Sequence, residues 1–251
     1  MRGGLDRGAP LYYHRQHMSE PDKIKVLDHG YLQLIESWGS DERIVEAARM
    51  STDKGFLGWG TPDKQGDERL LRYLYENKHS TPFEMAGMSI EVQAPIFVFR
   101  QWHRHRTQSY NEMSGRYTPL PDTNYLPTIE RLMVGGSTNK QAGTAKGAPT
   151  LTRAGASFFR KQLEDQYKSA ELLYQDALSA GVPKELARIH LPVARYSRMR
   201  ASANLRNWLA FLTLRLDPHA QHEIRVYAAI VAAVIAVRFP RTFALFTEGQ
   251  S

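Results

Sequence analysis

The chain has 251 residues, no cysteine and a formal net charge of +7 at pH 7. Without cysteine there are no disulfides, no thiolate metal sites and no cysteine nucleophile. The positive charge favours anionic partners, either nucleic acid or phosphorylated small molecules. A hydrophobic fraction of 42%, with 12 tyrosines and 10 phenylalanines, predicts a globular protein with a substantial core.

Residues 1–29 read as a polar N-terminal arm. They lack an apolar leader, which predicts a cytoplasmic protein. Residues 30–37 alternate as a strand. Ser40 suits a helix N-cap, with Asp41 and Glu42 in the first turn, and the helix buries Ile44 and Val45 before ending near Met50. A Gly-rich loop over 55–66 leads to a second helix over 67–77, which buries Leu70, Leu71 and Leu74. At the corner His79-Ser80-Thr81-Pro82, the proline ends helical structure and biases Thr81 to an extended shape. Residues 86–93 alternate as a strand. Pro95 suits the first turn of a helix over 95–106, on which Arg100 shares a face with Arg104, and Gln101 with His105.

Residues 135–149 are rich in Gly, Ala, Ser and Thr and read as a flexible insertion. A long amphipathic helix over 152–179 follows, its apolar side including Phe158, Phe159, Leu172 and Leu173. A short helix over 184–190 ends at Pro192, and residues 195–203 alternate weakly as a strand. A strong helix over 204–215 buries Leu205, Trp208, Leu209, Leu212 and Leu216. Asp217-Pro218 breaks it, and a last helix covers 219–238. That helix holds the longest apolar run, 228–237, which is too short to span a bilayer and reads as buried core. Strands mainly in the first half and long helices in the second predict an α+β fold, a mixed α/β core with antiparallel strands, as one domain over 1–251.

The chemistry concentrates in residues 104–117. Arg104, Arg106 and Arg116 stand there with His105, Glu112, Ser109 and Ser114, directly after apolar residues 96–99. Guanidinium forks suit phosphate oxygens, whereas a carboxylate repels them. Glu112 must therefore face something else, such as a ribose hydroxyl, a donor on a base, or an arginine. A metal is disfavoured, because His219, His222 and Glu223 match neither usual helical zinc pattern. No nucleophile elbow and no glycine-rich phosphate loop is present, so arginine side chains must hold any phosphate. Nucleic-acid binding is the rival reading, marked by steep salt dependence. The acidic residues among the arginines argue against it.

Arg104-His105-Arg106, seven residues, then Ser114 resembles the signature of the flavin-dependent thymidylate synthases. The longer pattern R-H-R-x-x-S-x-N-E-x-S-x-R is matched through Arg116. His79-Ser80-Thr81-Pro82-Phe83-Glu84, the stretch 94–102, Ala187-Arg188-Ile189-His190-Leu191-Pro192, Asn204-Leu205-Arg206 and the segment from Leu214-Arg215 to Glu223 resemble further blocks of that family. The resemblance implies that family's fold, a homotetramer with shared active sites, and no nucleic-acid or membrane partner. The implied reaction is reductive methylation of dUMP to dTMP. FAD is the cofactor, and NADPH and 5,10-methylenetetrahydrofolate are co-substrates. A route through a flavin needs no protein nucleophile, in keeping with the missing cysteine.

By position, the resemblance implies that Gln101, Arg104, Glu112, Ser114, Gly115, Arg116 and Arg188 bind the nucleotide. Arg215 lies by the uracil as the catalytic cation. Thr81, Arg104, His105, Arg106, Glu112, Asn204 and Arg206 contact FAD, and His79 lies on the folate or nicotinamide path. Met85 stands where the family often has His, and Ala210 where some members have a polar flavin contact.

Overall fold

Strand β3 (Gly87–Pro95) is the middle of a five-stranded antiparallel sheet. The other strands are β1 (Ile24–Val26), β2 (Gly30–Trp38), β4 (Ser109–Glu112) and β5 (Tyr196–Asn204), in the order β1-β2-β3-β5-β4. The computed structural model describes residues 23–61, 64–134 and 151–249. The 135–149 insertion and the arm up to residue 22 lie outside the described residues. Residues 24–26 do not belong to an arm, because β1 pairs with β2 through Ile24, Lys25 and Val26.

Period-two alternation gives the sheet two unlike faces. Met88, Ile90, Val92 and Ala94 of β3 are fully buried, as are Met199 and Ala201 of β5. The opposite face is polar. There the Tyr31 hydroxyl donates to Glu91 Oε1 at 2.8 Å, and Ser89 donates to Ser202 at 2.9 Å. The apolar face is covered by α3 (Ile96–Trp102), α7 (Leu205–Arg215) and α8 (His222–Arg238). Trp102, Trp208, Phe211 and Tyr227 meet in this layer, with Trp102 and Phe211 stacked at 4.7 Å. Each such side chain removed from water contributes about 1.5–3 kcal/mol.

Helix α1 (Asp41–Arg49) begins at Ser40, whose hydroxyl accepts from the Arg43 amide. Gly39 supplies the turn before it, at φ +73, and an added Cβ would lie 2.7 Å from that of Ala86. Helix α2 (Asp67–Glu76) carries the buried Asp67, which accepts from Arg49 Nε at 2.9 Å and from the Leu57 amide at 2.6 Å. A short helix α4 (Ile129–Leu132) precedes α5 (Arg153–Ser179), which is capped by Thr152. Helix α6 (Lys184–Ala187) is one turn long. Helix α9 (Pro240–Glu248) closes the described chain.

The α+β fold is as expected, with several corrections. The helix expected over 95–106 stops at Trp102, and Pro95 is the end of β3 rather than a helical residue. Arg104 and His105 are therefore not on the helix with Arg100 and Gln101. Thr81 opens a turn of 3-10 helix instead of standing extended, since Pro82 is compatible with its first positions. The last helix starts at His222, because the His219 amide and ring both bond Asp217 Oδ1 and hold a loop. The helix expected over 184–190 ends after one turn. Along α5, Ala170 of the expected apolar side is buried, whereas Phe158 and Leu172 are each 66% exposed, so that side is only partly covered within the chain. The stripe of α7 is buried as expected except for Leu216, which is half-buried, and Phe211 joins it.

Candidate active site

The segment 103–108 is a scaffolded turn joining α3 to β4. Tyr110 donates its hydroxyl to the Trp102 carbonyl at 3.1 Å and to the His105 carbonyl at 2.7 Å. Burial holds the Tyr110 phenol up at about 12, so it stays a donor. The buried Trp102 indole donates to Gln108 Oε1 at 3.1 Å, and Asn207 of α7 donates to the Thr107 carbonyl at 3.2 Å. These bonds present Arg104, His105 and Arg106 at the mouth between the sheet edge and α7.

Arg215, at the end of α7, reaches this turn. Its Nε donates to His105 Nε2 at 2.9 Å and its Nη2 to the Gln101 carbonyl at 2.8 Å. His105 is therefore neutral, with its proton on Nδ1. Burial lowers its pKa from 6.5 to about 4, helped by the charge on Arg215. Burial and the nearby Arg104 also lower the Arg215 pKa, though a guanidinium stays charged. The Gln101 side chain donates to Gln221 Oε1. Gln101, Arg104, His105 and Arg215 thus form one cluster.

A second cluster lies on the loop after β4. Ser114 Oγ accepts from the Arg116 amide at 3.3 Å, and Arg116 Nε pairs with Glu185 at 3.0 Å. Gly115 packs on Arg188, and an added Cβ would lie 3.0 Å from Arg188 Cδ and 3.2 Å from its Nη1. A side chain there would push the guanidinium back by a few tenths of an ångström. Glu112 pairs with Met199 in the β4–β5 ladder and shares the sheet face of Tyr110. No hydrogen bond or ion pair among the described residues joins the two clusters. The side chains of Arg104, Arg106, Arg188 and Glu112 have no hydrogen-bonded partner among the described residues.

His79, Thr81 and Arg206 line two adjoining clefts beside α7. One, of about 820 Å³, is bordered by His79, Arg206, Ala210 and Thr213 over an apolar floor that includes Phe83 and Leu209. Arg206 is held there by Glu84 at 2.6 Å. The adjoining cleft, of about 590 Å³, is lined by Thr81, Met85 and Tyr73 and shares His79. Asn204 is the N-cap of α7, its Oδ1 accepting from the Asn207 amide at 3.0 Å. Its side-chain amide nitrogen makes no hydrogen bond among the described residues. The His79 ring meets Tyr73 edge-on at 5.5 Å. Among the described residues no group of His, Asp and Glu is arranged to hold a metal. No described helix is long and apolar enough to cross a membrane.

Sequence reasoning did not find Gln108, Tyr110 or Asn207, which build the turn. Only the aromatic and amide residues inside the motif itself, Gln108 and Tyr110, hinted at that. It also did not find Gln221 as the partner of Gln101.

The structure is thus an α+β protein, an antiparallel sheet with helices on its apolar face, carrying arginine side chains that make no hydrogen bond among the described residues. Sequence comparison narrows this. The family model described as thymidylate synthase complementing protein matches residues 33–241, and the chain belongs to that family. It is 41% identical over 226 residues to the flavin-dependent thymidylate synthase of Thermosipho melanesiensis, covering 90% of this chain and 94% of that protein. It is 40% identical over 231 residues to that of Thermus thermophilus, covering 92% and 80%. Among solved structures, the UMP/dUMP methylase PolB from Streptomyces cacaoi bound with 5-Br UMP superposes with a TM-score of 0.75. It is 33% identical and covers 90% of this chain and 97% of that one.

Proposed function

We propose that this chain is a flavin-dependent thymidylate synthase, a methyltransferase that converts dUMP to dTMP. The observation that carries the reading is Arg215, a cation held at 2.9 Å by a neutral imidazole and at 2.8 Å by a carbonyl, beside the unpaired Arg104. Such a cation keeps its charge for a ligand. Set by a uracil ring, it would stabilise the negative charge that builds there during reaction. Gln101 and Arg104 would bind the nucleotide from the same cluster. Ser114, Gly115, Arg116 and Arg188 would hold it from the other, with the guanidiniums on phosphate oxygens. Glu112, lacking a cationic partner, would take a hydroxyl donor of the sugar.

The chain's residues also fit a flavin. Arg104 and Arg106 offer unpaired charge for a pyrophosphate. The cleft beside Arg206 has the polar rim and apolar floor that a planar ring requires. Thr81, His105, Asn204, Arg206 and Glu112 would complete the FAD contacts, and His79 would border the folate or nicotinamide path. When bound and reduced, the flavin supplies the two electrons of the reductive methylation. We further propose NADPH as reductant, 5,10-methylenetetrahydrofolate as carbon donor and a cytoplasmic setting.

The division into two clusters supports an active site completed between subunits. So does the apolar face that α5 and α6 leave exposed, including Phe158, Leu172, Leu173, Leu186 and Ile189. The homotetramer is part of the same reading. Because the structural neighbour is named a UMP/dUMP methylase, UMP is a second candidate substrate.

The test is an absorption spectrum of the purified protein, followed by turnover. Flavin bands that bleach with NADPH, and dTMP formed from dUMP and the folate, are expected, with UMP run in parallel. Protein that takes up no added FAD and forms no product would overturn the reading.

A further inference from the structure

Arg195 is an arginine whose side chain is wholly buried, just ahead of β5. Its Nη2 lies 2.6 Å from Glu171 Oε2 on α5 and donates to the Leu120 carbonyl at 3.2 Å. Nη1 donates to Asp122 Oδ1 at 3.3 Å, and the guanidinium lies 5.9 Å from the Tyr174 ring centre. The Glu171 contact is an ion pair without hydrogen-bond geometry, and the Arg195 Nε has no partner among the described residues. Burying such a charge is costly, and well-packed apolar residues are often as stable in its place. Stability is thus a weak reason for this group. What a planar fork of donors provides, and an apolar side chain does not, is simultaneous registry of several segments.

Those segments lead to one half of the site. Leu120 packs on Gly115, its Cγ 3.3 Å from where a Cβ would stand. The Arg195 amide donates to the Pro192 carbonyl at 2.9 Å, closing the turn that follows Arg188. The same turn is tied to α5, where the His190 ring bonds the Ala170 carbonyl at 2.8 Å. Arg195 therefore fastens the loop behind Gly115 and the turn behind Arg188 to the same helix.

We propose that Arg195 is a positioning residue: with Glu171 and Asp122 it sets the spacing between Arg188 and the loop of Ser114, Gly115 and Arg116, and so the affinity of that half-site for a nucleotide phosphate. This rests on the nucleotide reading above. Arg195 touches no ligand in it, and acts through the backbone at Leu120 and Pro192.

The test compares wild type with Arg195→Lys and with the double variant Arg195→Met/Glu171→Leu, which removes the buried pair and leaves only the solvent-exposed Asp122 without its partner. The double variant is expected to raise KM for dUMP about tenfold, of the order of one lost charge-assisted hydrogen bond. Its kcat should stay within twofold and its flavin bands unchanged. Arg195→Lys keeps the charge but not the fork, and should raise KM about threefold. Amide exchange over 114–121 and 188–192 should quicken in the double variant. A KM within twofold of wild type in both variants overturns the proposal. So does a parallel fall of kcat and flavin content, which marks general damage. If the double variant does not fold, Arg195→Lys decides alone, an unchanged KM overturning the proposal. If wild type turns over no dUMP, the synthase reading falls. The exchange data then judge the clamp separately: faster exchange in both segments keeps it, and unchanged exchange removes it.

Discussion

The two acceptors that hold Arg215 are both neutral, an imidazole nitrogen and a carbonyl. A carboxylate in either place would satisfy the guanidinium and leave little of its field for a ligand. Replacing Arg215 with alanine should lower kcat/KM for dTMP formation by about 10²–10³, the usual loss for a donor aimed at developing charge. The assembly should stay intact by light scattering, since the side chain is only half-buried. A variant with normal turnover would remove Arg215 from the chemistry. His105 carries a second expectation. Its folded pKa of about 4 lies below its ordinary 6.5, so over that window the unfolded chain binds the proton and the folded chain does not. Stability should therefore fall as pH drops from 6.5 towards 4. His105→Gln keeps an acceptor but does not titrate, and should flatten that part of a plot of Tm against pH. Identical plots for the two proteins would show that the ring's burial does not couple to folding.

Helix α7 serves two ends at once. At its start Asn204 caps the helix through Oδ1, while the same side chain is expected to face the flavin through its amide. The two roles separate by substitution. Asn204→Asp keeps a capping oxygen and should hold stability within about 0.5 kcal/mol, yet weaken FAD binding by losing a donor and adding a negative charge. Asn204→Ala should weaken both, with a stability loss of about 1 kcal/mol. Denaturant melts and FAD titration distinguish them, and equal FAD affinity in wild type and Asn204→Asp would exclude the flavin contact. Much of this element was readable beforehand, because Leu205, Trp208, Leu209 and Leu212 recur at helical spacing and Asn204 is a good cap. The alternation of β2 and β3 was readable for similar reasons. The turn 103–108 was not, since its residues have ordinary helix propensity. The hydroxyl of Tyr110 and the side-chain amide of Asn207 bind its backbone from outside the turn, and Gln108 accepts from the buried Trp102 indole. Strand β4 is only 4 residues long and shows too little alternation to be seen. The division of the expected site residues into separate clusters was not legible, because it depends on how β4 and the turn at Arg188 are placed.

Across the whole molecule, the apolar side of α5 is where periodicity and burial disagree. The pattern marks a face that must be covered, and the chain leaves Phe158 and Leu172 each 66% exposed. If subunits share active sites across this face, Phe158→Glu/Leu172→Glu should yield smaller species by light scattering. Flavin and turnover should be lost together. Dissociated protein with full turnover would show that each chain completes its own site. The packing of the core has a further use. Trp102 and Trp208 are fully enclosed, Trp102 stacks on Phe211, and the Phe211 edge meets the His105 ring at 4.8 Å. Trp208 stands on the same helix as Arg206 and Ala210, which border the larger cleft. Indole emission overlaps the absorption of an oxidised flavin. These two side chains are therefore built-in optical reporters, and their fluorescence should dim as the cleft fills and brighten as it empties, with no label attached and no turnover required.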